Sequence, residues 1–408
     1  MRILRSIHSV NPAGGGPIEG IKQVARVHAE AGHETEIVSL DGRDDPWVMD
    51  CPVKVHAMGP ARTSYGYSAA FVSWLEVYRR EYNAVIVSGL WQYNGFGVWR
   101  ALRGTDTPYF VFPHGMLDPW FKRTYPLKHW KKWVYWPWAD YRLLRDARAV
   151  LFTSDEERRA ARESFWLYRC REVVVNYGVA GPGGDADAQK QAVFDRFPEL
   201  RGKRILLFLG RIHEKKGCDL LLKAFAKILR DPNSDLHLVL VGPDQTGWTK
   251  ELQALAARLQ MAGQILWTGM LSGDLKWGML RLAEVFVLPS HQENFGISVV
   301  EALSCEVPVL VSDKVNIWRE IVEDRAGLVE TDDLDGTIRL LQGWLQMAPD
   351  SRLAMRAAAR RCFVSRFEIA RAAEQLIELL KDARYAGGEG HAARLSTALR
   401  ASAIRKKE

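Results

Sequence analysis

Ile205-Leu206-Leu207-Phe208-Leu209-Gly210-Arg211-Ile212-His213-Glu214-Lys215-Lys216-Gly217 is the stretch that settles the architecture of this 408-residue chain. An apolar run ends in Gly-Arg, and a Lys-Gly five residues later precedes a helical pattern over 219–229. Going on from there, short apolar runs at 236–241, 265–268, 285–288 and 307–312 alternate with helical patterns at 251–259 and 275–282. Runs of four to six apolar residues separated by helices predict a parallel sheet buried on both faces. Going back, residues 178–190 hold four glycines and a proline, a linker composition. Before the linker the same alternation runs through strands predicted at 2–7, 36–40, 84–88, 109–112, 149–153 and 173–176. A helix follows the first of these, with Gly32 as its stop. The chain is therefore expected to be α/β, with two doubly wound halves, 1–177 and 178–364. Amphipathic helices follow at about 351–383, and residues 385–408 read as a loose basic tail.

Composition narrows the class. Hydrophobic residues make up 47% and charged residues 26%, which excludes a mostly disordered chain. No run reaches the 18 or so apolar residues of a membrane span. The opening Met1-Arg2-Ile3-Leu4-Arg5 breaks its apolar residues with charge and does not read as a signal peptide. A cytoplasmic location is expected on these grounds, with the inner membrane face as a possible site of contact. The five cysteines (51, 170, 218, 305 and 362) form no C-x-x-C pair and read as reduced thiols. The net charge of +7 is compatible with an anionic ligand or surface and proves neither.

Three segments carry chemistry. Gly14-Gly15-Gly16 lies between a strand and a helix, where bare backbone and a helix N-terminus suit a diphosphate. Glu19 stands where a dinucleotide fingerprint needs a glycine or alanine, and no Gly-Lys-Ser/Thr follows. Taken alone, the loop reads equally well as a flexible turn. Arg211 and Lys216 stand at the carboxyl end of a strand, the face where open α/β sheets bind ligands. A forked guanidinium and a point-charged ammonium could hold a diphosphate there, though surface charge around a turn fits alone as well. The third segment is Leu288-Pro289-Ser290-His291-Gln292-Glu293-Asn294-Phe295-Gly296-Ile297-Ser298-Val299-Val300-Glu301. Asn294 is expected to cap a helix running from about Phe295. The N–H groups of Phe295, Gly296 and Ile297 would then point into the crevice. Glu301, two turns in, is placed for ribose hydroxyls, and Glu293 for sugar hydroxyls. Two arbitrary glutamates eight residues apart would be a solvated helix face, and the surrounding Phe-Gly-Ile context argues otherwise.

Tryptophan is the compositional oddity. Five of 15 (Trp120, Trp130, Trp133, Trp136 and Trp138) fall within 19 residues. Residues 119–145 hold seven Lys and Arg against one Asp, so most of the net charge sits here. Trp120, Lys128, Trp130, Lys131, Lys132 and Trp133 suit an anionic membrane interface, or a sugar chain stacking on the rings. Helical spacing of the aromatics fits core packing too. Nothing else supports nucleic acid, and none is expected.

At this point the chain resembles the family-4 retaining glycosyltransferases of the GT-B fold, over about residues 1–383. The resemblance rests on Glu293-x7-Glu301 and on Gly210-Arg211-x4-Lys216-Gly217. Gly14–Gly16, Phe112-Pro113-His114-Gly115 and Thr153-Ser154-x-x-Glu157 support it. Asn176-Tyr177-Gly178-Val179 departs from the family's Asn-Gly-Val, and no role is carried onto it. The resemblance implies two Rossmann-like domains facing a crevice, with the acceptor on the first and the donor on the second. It also implies that the last helix, about 365–384, crosses back to the first domain. Arg211 and Lys216 would hold the diphosphate, Glu301 the ribose, and Glu293 with the Phe295–Ile297 backbone the donor sugar and phosphates. Gly15 and Gly16 would close over the diphosphate, and His114 would bond the sugar near the reacting carbon. A strand-end His114 that is merely hydrogen-bonded is the competing reading.

The implied activity moves a hexose-type sugar from a nucleotide-diphosphate sugar to a glycan or lipid-linked glycan. Its setting would be cell-surface polysaccharide or lipopolysaccharide synthesis, with retention and with no metal or cofactor. A nucleotide-sugar epimerase or hydrolase, and a non-catalytic nucleotide-sugar-binding subunit, are the alternatives. Ser154-x-x-Glu157 reads as a capping box. Asp185-Ala186-Asp187 lies in the predicted linker and is discounted as a metal motif.

Overall fold

The computed structural model describes residues 1–385, apart from 62, 125, 230, 232 and 233; the predicted tail therefore lies almost wholly outside the described residues. Seven parallel strands form the first sheet: β1 (Arg2–Ser6), β2 (Glu34–Ser39), β3 (Val55–Ala57), β4 (Ala84–Ser88), β5 (Tyr109–Phe112), β6 (Ala149–Phe152) and β7 (Glu172–Val174). Their order is β3-β2-β1-β4-β5-β6-β7. Six more form the second: β8 (Arg204–Leu209), β9 (Leu236–Val241), β10 (Ile265–Gly269), β11 (Val285–Leu288), β12 (Val309–Ser312) and β13 (Gly327–Glu330). Their order is β10-β9-β8-β11-β12-β13. In each sheet the order reverses beside the first strand, between β1 and β4 and between β8 and β11. Loops leaving the carboxyl ends there diverge and leave a crevice. The GT-B expectation of two Rossmann-like sheets is met.

Burial explains why these segments are strands. All five residues of β4 and all four of β11 are buried, so neither face is left for polar residues. Two strands went unread in the sequence. β3 is only Val-His-Ala and β13 only Gly-Leu-Val-Glu, too short and too mixed to stand out. The strand expected from Val307 begins at Val309, because Pro308 has no N–H for the ladder. The predicted linker is shorter than its composition suggested. Asp185 caps a helix, Ala186–Arg196, by accepting from Ala188 N, so the discounted Asp185-x-Asp187 is a helix start.

The C-terminal helix, Ile369–Tyr385, packs on the first sheet. Leu376, Ile377, Leu379 and Leu380 share one buried cluster with Ile3, Ala84, Ile86, Phe110 and Phe112. These sheet residues sit side by side in register, Ile3 against Ala84 and Ile86 against Phe110. Two polar contacts also tie the first half's helix Gly16–Glu30 to later chain: His28 Nε2 to the Ala373 carbonyl at 3.4 Å, and Gln23 Oε1 accepting from Ala180 N at 2.9 Å. Leu380 is fully buried. Leu380→Ala should lower stability by about 2–5 kcal/mol, read as a drop of the thermal midpoint. An unchanged midpoint would contradict this packing.

Candidate functional site

The site is built from loops at the carboxyl ends of β1, β5, β8 and β11. After β8, a short turn at Glu214–Lys216 turns Lys216 inward. Its ammonium forms an ion pair with Glu293 from the loop after β11. The Lys215 carbonyl accepts from Ser290 Oγ at 2.9 Å and His291 N at 2.8 Å, so the two loops are stitched together. Arg211 is exposed and donates to Gln245 Oε1 at 3.4 Å. Burial first, then repulsion from Lys215 and Arg211, pushes Lys216 down to about 7. Its contact with Glu293 works the other way, and that ion pair decides its state at neutral pH. Burial and Arg211 push Lys215 down to about 8. Of these three cations only Lys216 is paired with Glu293, and Asp118 is the carboxylate that acts on Lys215, so the cluster keeps a positive excess that an anion would relieve.

Across the crevice, the helix Gly16–Glu30 begins opposite the helix Ile297–Ser304. A Cβ on Gly16 would lie 2.6 Å from the Ile297 Cδ1 methyl, so the two helix starts meet here with little between them. Each helix start carries N–H groups without intrahelical partners and the positive end of a dipole. Two such ends, with Arg211, Lys215 and Lys216 close by, concentrate positive potential at one place.

The cap of the second helix differs from expectation. Gly296, not Asn294, is the N-cap, with φ of 73°, a conformation that disfavours any side chain. Asn294 is used across the crevice instead. Its Nδ2 donates to Thr153 Oγ1 at 3.3 Å, and its Oδ1 accepts from Asn316 Nδ2 at 3.3 Å. The Phe295 ring is buried between Tyr177 and Phe367, 5.0 and 5.7 Å away by ring centroids. Only its backbone can serve the crevice. Glu301 is mostly buried, and one of its oxygens bonds Lys276 Nζ at 2.8 Å. Lys276 in turn lies 4.2 Å from the Trp277 ring centroid.

His114 stands just past β5 with φ of 51°. Its ring stacks on Phe112 at 5.5 Å and meets Tyr177 edge-on at 6.0 Å. Nε2 is buried and has no hydrogen-bond partner among the described residues. Burial, then the charge of Arg5, pushes His114 down to about 3, so the ring is neutral at physiological pH. A Cβ on Gly115 would come within 2.8 Å of the Asn294 Cβ, a second close approach of the halves. Asp118 Oδ2 accepts from Gln292 Nε2 at 3.0 Å. Lys215 Nζ sits 5.6 Å from both the Trp120 and Phe121 rings.

Glu157 corrects the capping-box expectation. Ser154 Oγ does accept from Glu157 N at 3.1 Å. The carboxylate does not return to Ser154; it accepts from Thr153 N, Thr153 Oγ1 and, 42 residues away, Gly115 N. Sequence reasoning missed this, and no local spacing signals it. Lys215, Lys276 and Gln292 were also missed, although Lys215 adjoins a residue singled out.

The tryptophan segment divides. Trp136 is fully buried against Phe165, with Nε1 bonded to the Leu167 carbonyl. Leu127 (83%), Trp130 (69%), Trp138 (67%) and Trp166 (64%) are exposed, with Trp133 and Val134 between them. Trp133 and Trp166 touch at 5.7 Å, which joins the helix Pro126–Tyr135 to a separate loop in one apolar face. Lys131 is exposed beside it, whereas Lys132 turns inward over the Trp91 and Phe121 rings. Trp120 is half-buried near Lys215. The Lys128 side chain lies outside the described residues. Among the described residues, no helix is long and apolar enough to cross a membrane, and no group of three His, Cys, Asp or Glu residues could hold a metal ion.

Comparison with known proteins adds to this geometry. A family model described as "Glycosyl transferases group 1" matches residues 189–362. One described as "Glycosyl transferase 4-like domain" matches residues 15–178. The alpha-D-kanosaminyltransferase of Streptomyces kanamyceticus is 27% identical over 253 residues, 60% of this chain and 63% of that protein. A D-inositol 3-phosphate glycosyltransferase of Geodermatophilus obscurus is 34% identical over 159 residues, 35% of each chain. The matched stretch is thus under two thirds of either relative's length. Among solved structures, sucrose-phosphate synthase from Thermosynechococcus elongatus superposes with a TM-score of 0.75 at 17% identity, covering 95% of this chain and all of that one. Anabaena Alr3699/HepE, solved with UDP and glucose, gives 0.72 at 17% identity, covering 94% of this chain and all of that one. At such identities the likeness is one of fold.

The charge state of the lysines is testable with sulfate, which does not itself titrate near neutrality. Low millimolar sulfate should raise the unfolding midpoint at about pH 7 and much less at about pH 9. Over that window Lys215 and Lys216 lose their protons, and the attraction with them. Equal stabilisation at both pH values, relative to chloride of matched ionic strength, would contradict the cation cluster.

Proposed function

Since this chain belongs to the glycosyltransferases of the GT-B fold and family-4 type, we propose that it moves a hexose-type sugar from a nucleotide-diphosphate sugar to a glycan or lipid-linked glycan. The setting we propose is the assembly of cell-surface polysaccharide or lipopolysaccharide. The observation that carries this reading is the meeting of two helix N-termini beside the Arg211, Lys215 and Lys216 cluster. Such a site suits a diphosphate, both as it binds and as it leaves.

Within this reading each residue has a task. Arg211 and Lys216 hold the diphosphate, and the N–H groups of Phe295, Gly296 and Ile297 bind its oxygens. Gly15 and Gly16 let the opposite helix close over it. Glu301, steadied by Lys276, accepts from the ribose hydroxyls. Glu293 keeps Lys216 in place and meets the donor sugar. His114, neutral, bonds the sugar near the reacting carbon. Pushed down to about 3, it is a poor general base at neutral pH. The departing phosphate is then the group that takes the acceptor proton. The acceptor hydroxyl attacks the face from which the phosphate leaves, through an oxocarbenium-like state, with retention. The protein's share is orientation and electrostatic stabilisation of the leaving group, with cations of its own doing what a metal does elsewhere.

Lys216→Ala or Glu293→Ala should abolish transfer, by about a hundredfold or more, while the protein stays folded. Transfer by the unaltered protein should survive EDTA. Full activity in either variant would refute the assignment, and loss with EDTA would refute metal independence.

The exposed face of Leu127, Trp130, Trp133, Val134, Trp138 and Trp166, with Lys131 at its edge, supports peripheral contact with an anionic membrane. Such contact would hold the enzyme beside a lipid-linked acceptor. Vesicles of phosphatidylglycerol and phosphatidylcholine should bind the protein at low salt and release it at high salt. Trp130→Ala with Trp133→Ala should weaken binding about tenfold. No vesicle binding at low salt would sink the proposal.

A further inference from the structure

Two residues in succession, His114 and Gly115, adopt left-handed backbone conformations, with φ of 51° and 73°. For histidine this geometry costs on the order of 1 kcal/mol and persists only where the surroundings impose it. The imposing group is visible. Glu157 is 3% exposed on the helix Asp155–Arg162, and its Oε1 accepts from Gly115 N at 2.6 Å. Its Oε2 accepts from Thr153 N at 2.7 Å and Thr153 Oγ1 at 2.8 Å. A cap needs only the local partners; the bond to Gly115 reaches another strand end.

The network does not stop in the first half. The Thr153 hydroxyl, which donates to Glu157, accepts from Asn294 Nδ2. Asn294 follows Glu293 in the loop that would face the donor sugar. Next to Glu157, the Glu156 carboxylate forms an ion pair with Arg319 of the second half. The start of this one helix therefore touches both the His114 loop and the opposite half. Deep burial pushes the Glu157 carboxyl up, and its bonds from Thr153, Gly115 and Asn294 offset only part of that shift.

We propose that Glu157 is a positioning residue for His114, and that the Thr153–Asn294 bond makes its hold depend on closure of the donor half. Glu157 clamps the Gly115 N–H and so keeps His114 in its left-handed conformation, with the ring against Phe112 and Tyr177. When the second half closes, Asn294 fixes the Thr153 hydroxyl and with it the second carboxylate oxygen. This inference rests on the donor-binding role proposed for His114, although the clamp itself can be measured without catalysis.

The test combines amide hydrogen exchange with kinetics, using UDP and UDP-glucose as probes. Glu157→Gln keeps the size but has one acceptor oxygen; the Thr153 N–H and hydroxyl together claim it over the single Gly115 N–H, so the NH2 faces Gly115 and that clamp is lost. Exchange across residues 114–116 should rise about tenfold, the loss of one net hydrogen bond. Turnover should fall about tenfold or more, with the donor KM within about twofold, the pattern of an interaction made only in the transition state. Thr153→Val leaves the Gly115 clamp and removes the link to Asn294. UDP should slow exchange at 114–116 in the unaltered protein and should no longer do so in this variant. Thr153→Ser keeps the hydroxyl and should restore that response. Unchanged exchange at 114–116 in Glu157→Gln would overturn the clamp, and a normal UDP response in Thr153→Val would overturn the link to closure. If exchange changes as expected but the unaltered protein transfers no sugar, the functional reading fails and the clamp stands.

Discussion

The approach of Gly16 to Ile297 is the constraint on which the rest of the molecule turns. Two parallel sheets place all their carboxyl ends toward one crevice, and the helices that follow β1 and β11 start there. Each start brings unpaired N–H groups and partial positive charge. Bringing two of them together, beside Arg211, Lys215 and Lys216, is unfavourable unless something negative lies between. Burial first, and then the charge of Arg211 on Lys215 and of Lys215 and Arg211 on Lys216, lowers the protonation of the two lysines. Glu293 offsets part of the repulsion and holds the loop in shape meanwhile. The absence of a side chain at Gly115, against the Asn294 Cβ, lets the halves come this close, and at Gly16 only the Ile297 methyl stands opposite.

The same region joins the halves mechanically. Tyr177, at the crossing between them, packs on His114 and Phe295, and Phe295 packs on Phe367 just before the C-terminal helix. That helix completes the core of the first half through Leu376, Ile377 and Leu380. Movement of one half on the other must therefore pass through residues that also touch the site. The departure at Tyr177 from the usual family pattern falls at this junction. Its hydroxyl occupies the space next to Gly20, where a Cβ would lie 1.9 Å from it.

How much of this the sequence disclosed depended on the range of each interaction. β4 and β11 announced themselves because burial on both faces demands unbroken apolar runs. β3 and β13 did not, since short edge strands carry too few residues to form a pattern. Arg211, Lys216, Glu293 and Glu301 could be picked out by their spacing from strand ends, and the structure brings Lys216 and Glu293 into contact. The cap at Gly296 was missed because Asn294 is the better capping residue by type and was taken up by a contact with Thr153 that no local rule foresees. Glu157 failed for the same reason: its spacing to Ser154 is local, while its bond to Gly115 spans 42 residues. The tryptophan cluster was legible as an anomaly only. Helical spacing could not say that Trp136 faces the core while Trp130 and Trp138 face solvent, because that depends on where the helix Pro126–Tyr135 lies on its neighbours.

The central claim is that two helix N-termini from opposite halves grip one diphosphate. It is tested most directly by amide hydrogen exchange with and without UDP or GDP, each set against its parent nucleoside. The account predicts that a diphosphate protects the amides near Gly16 and those of Phe295 to Ile297 together, and that uridine or guanosine protects neither. Protection by the nucleoside alone, or protection at only one of the two helix starts, would contradict it.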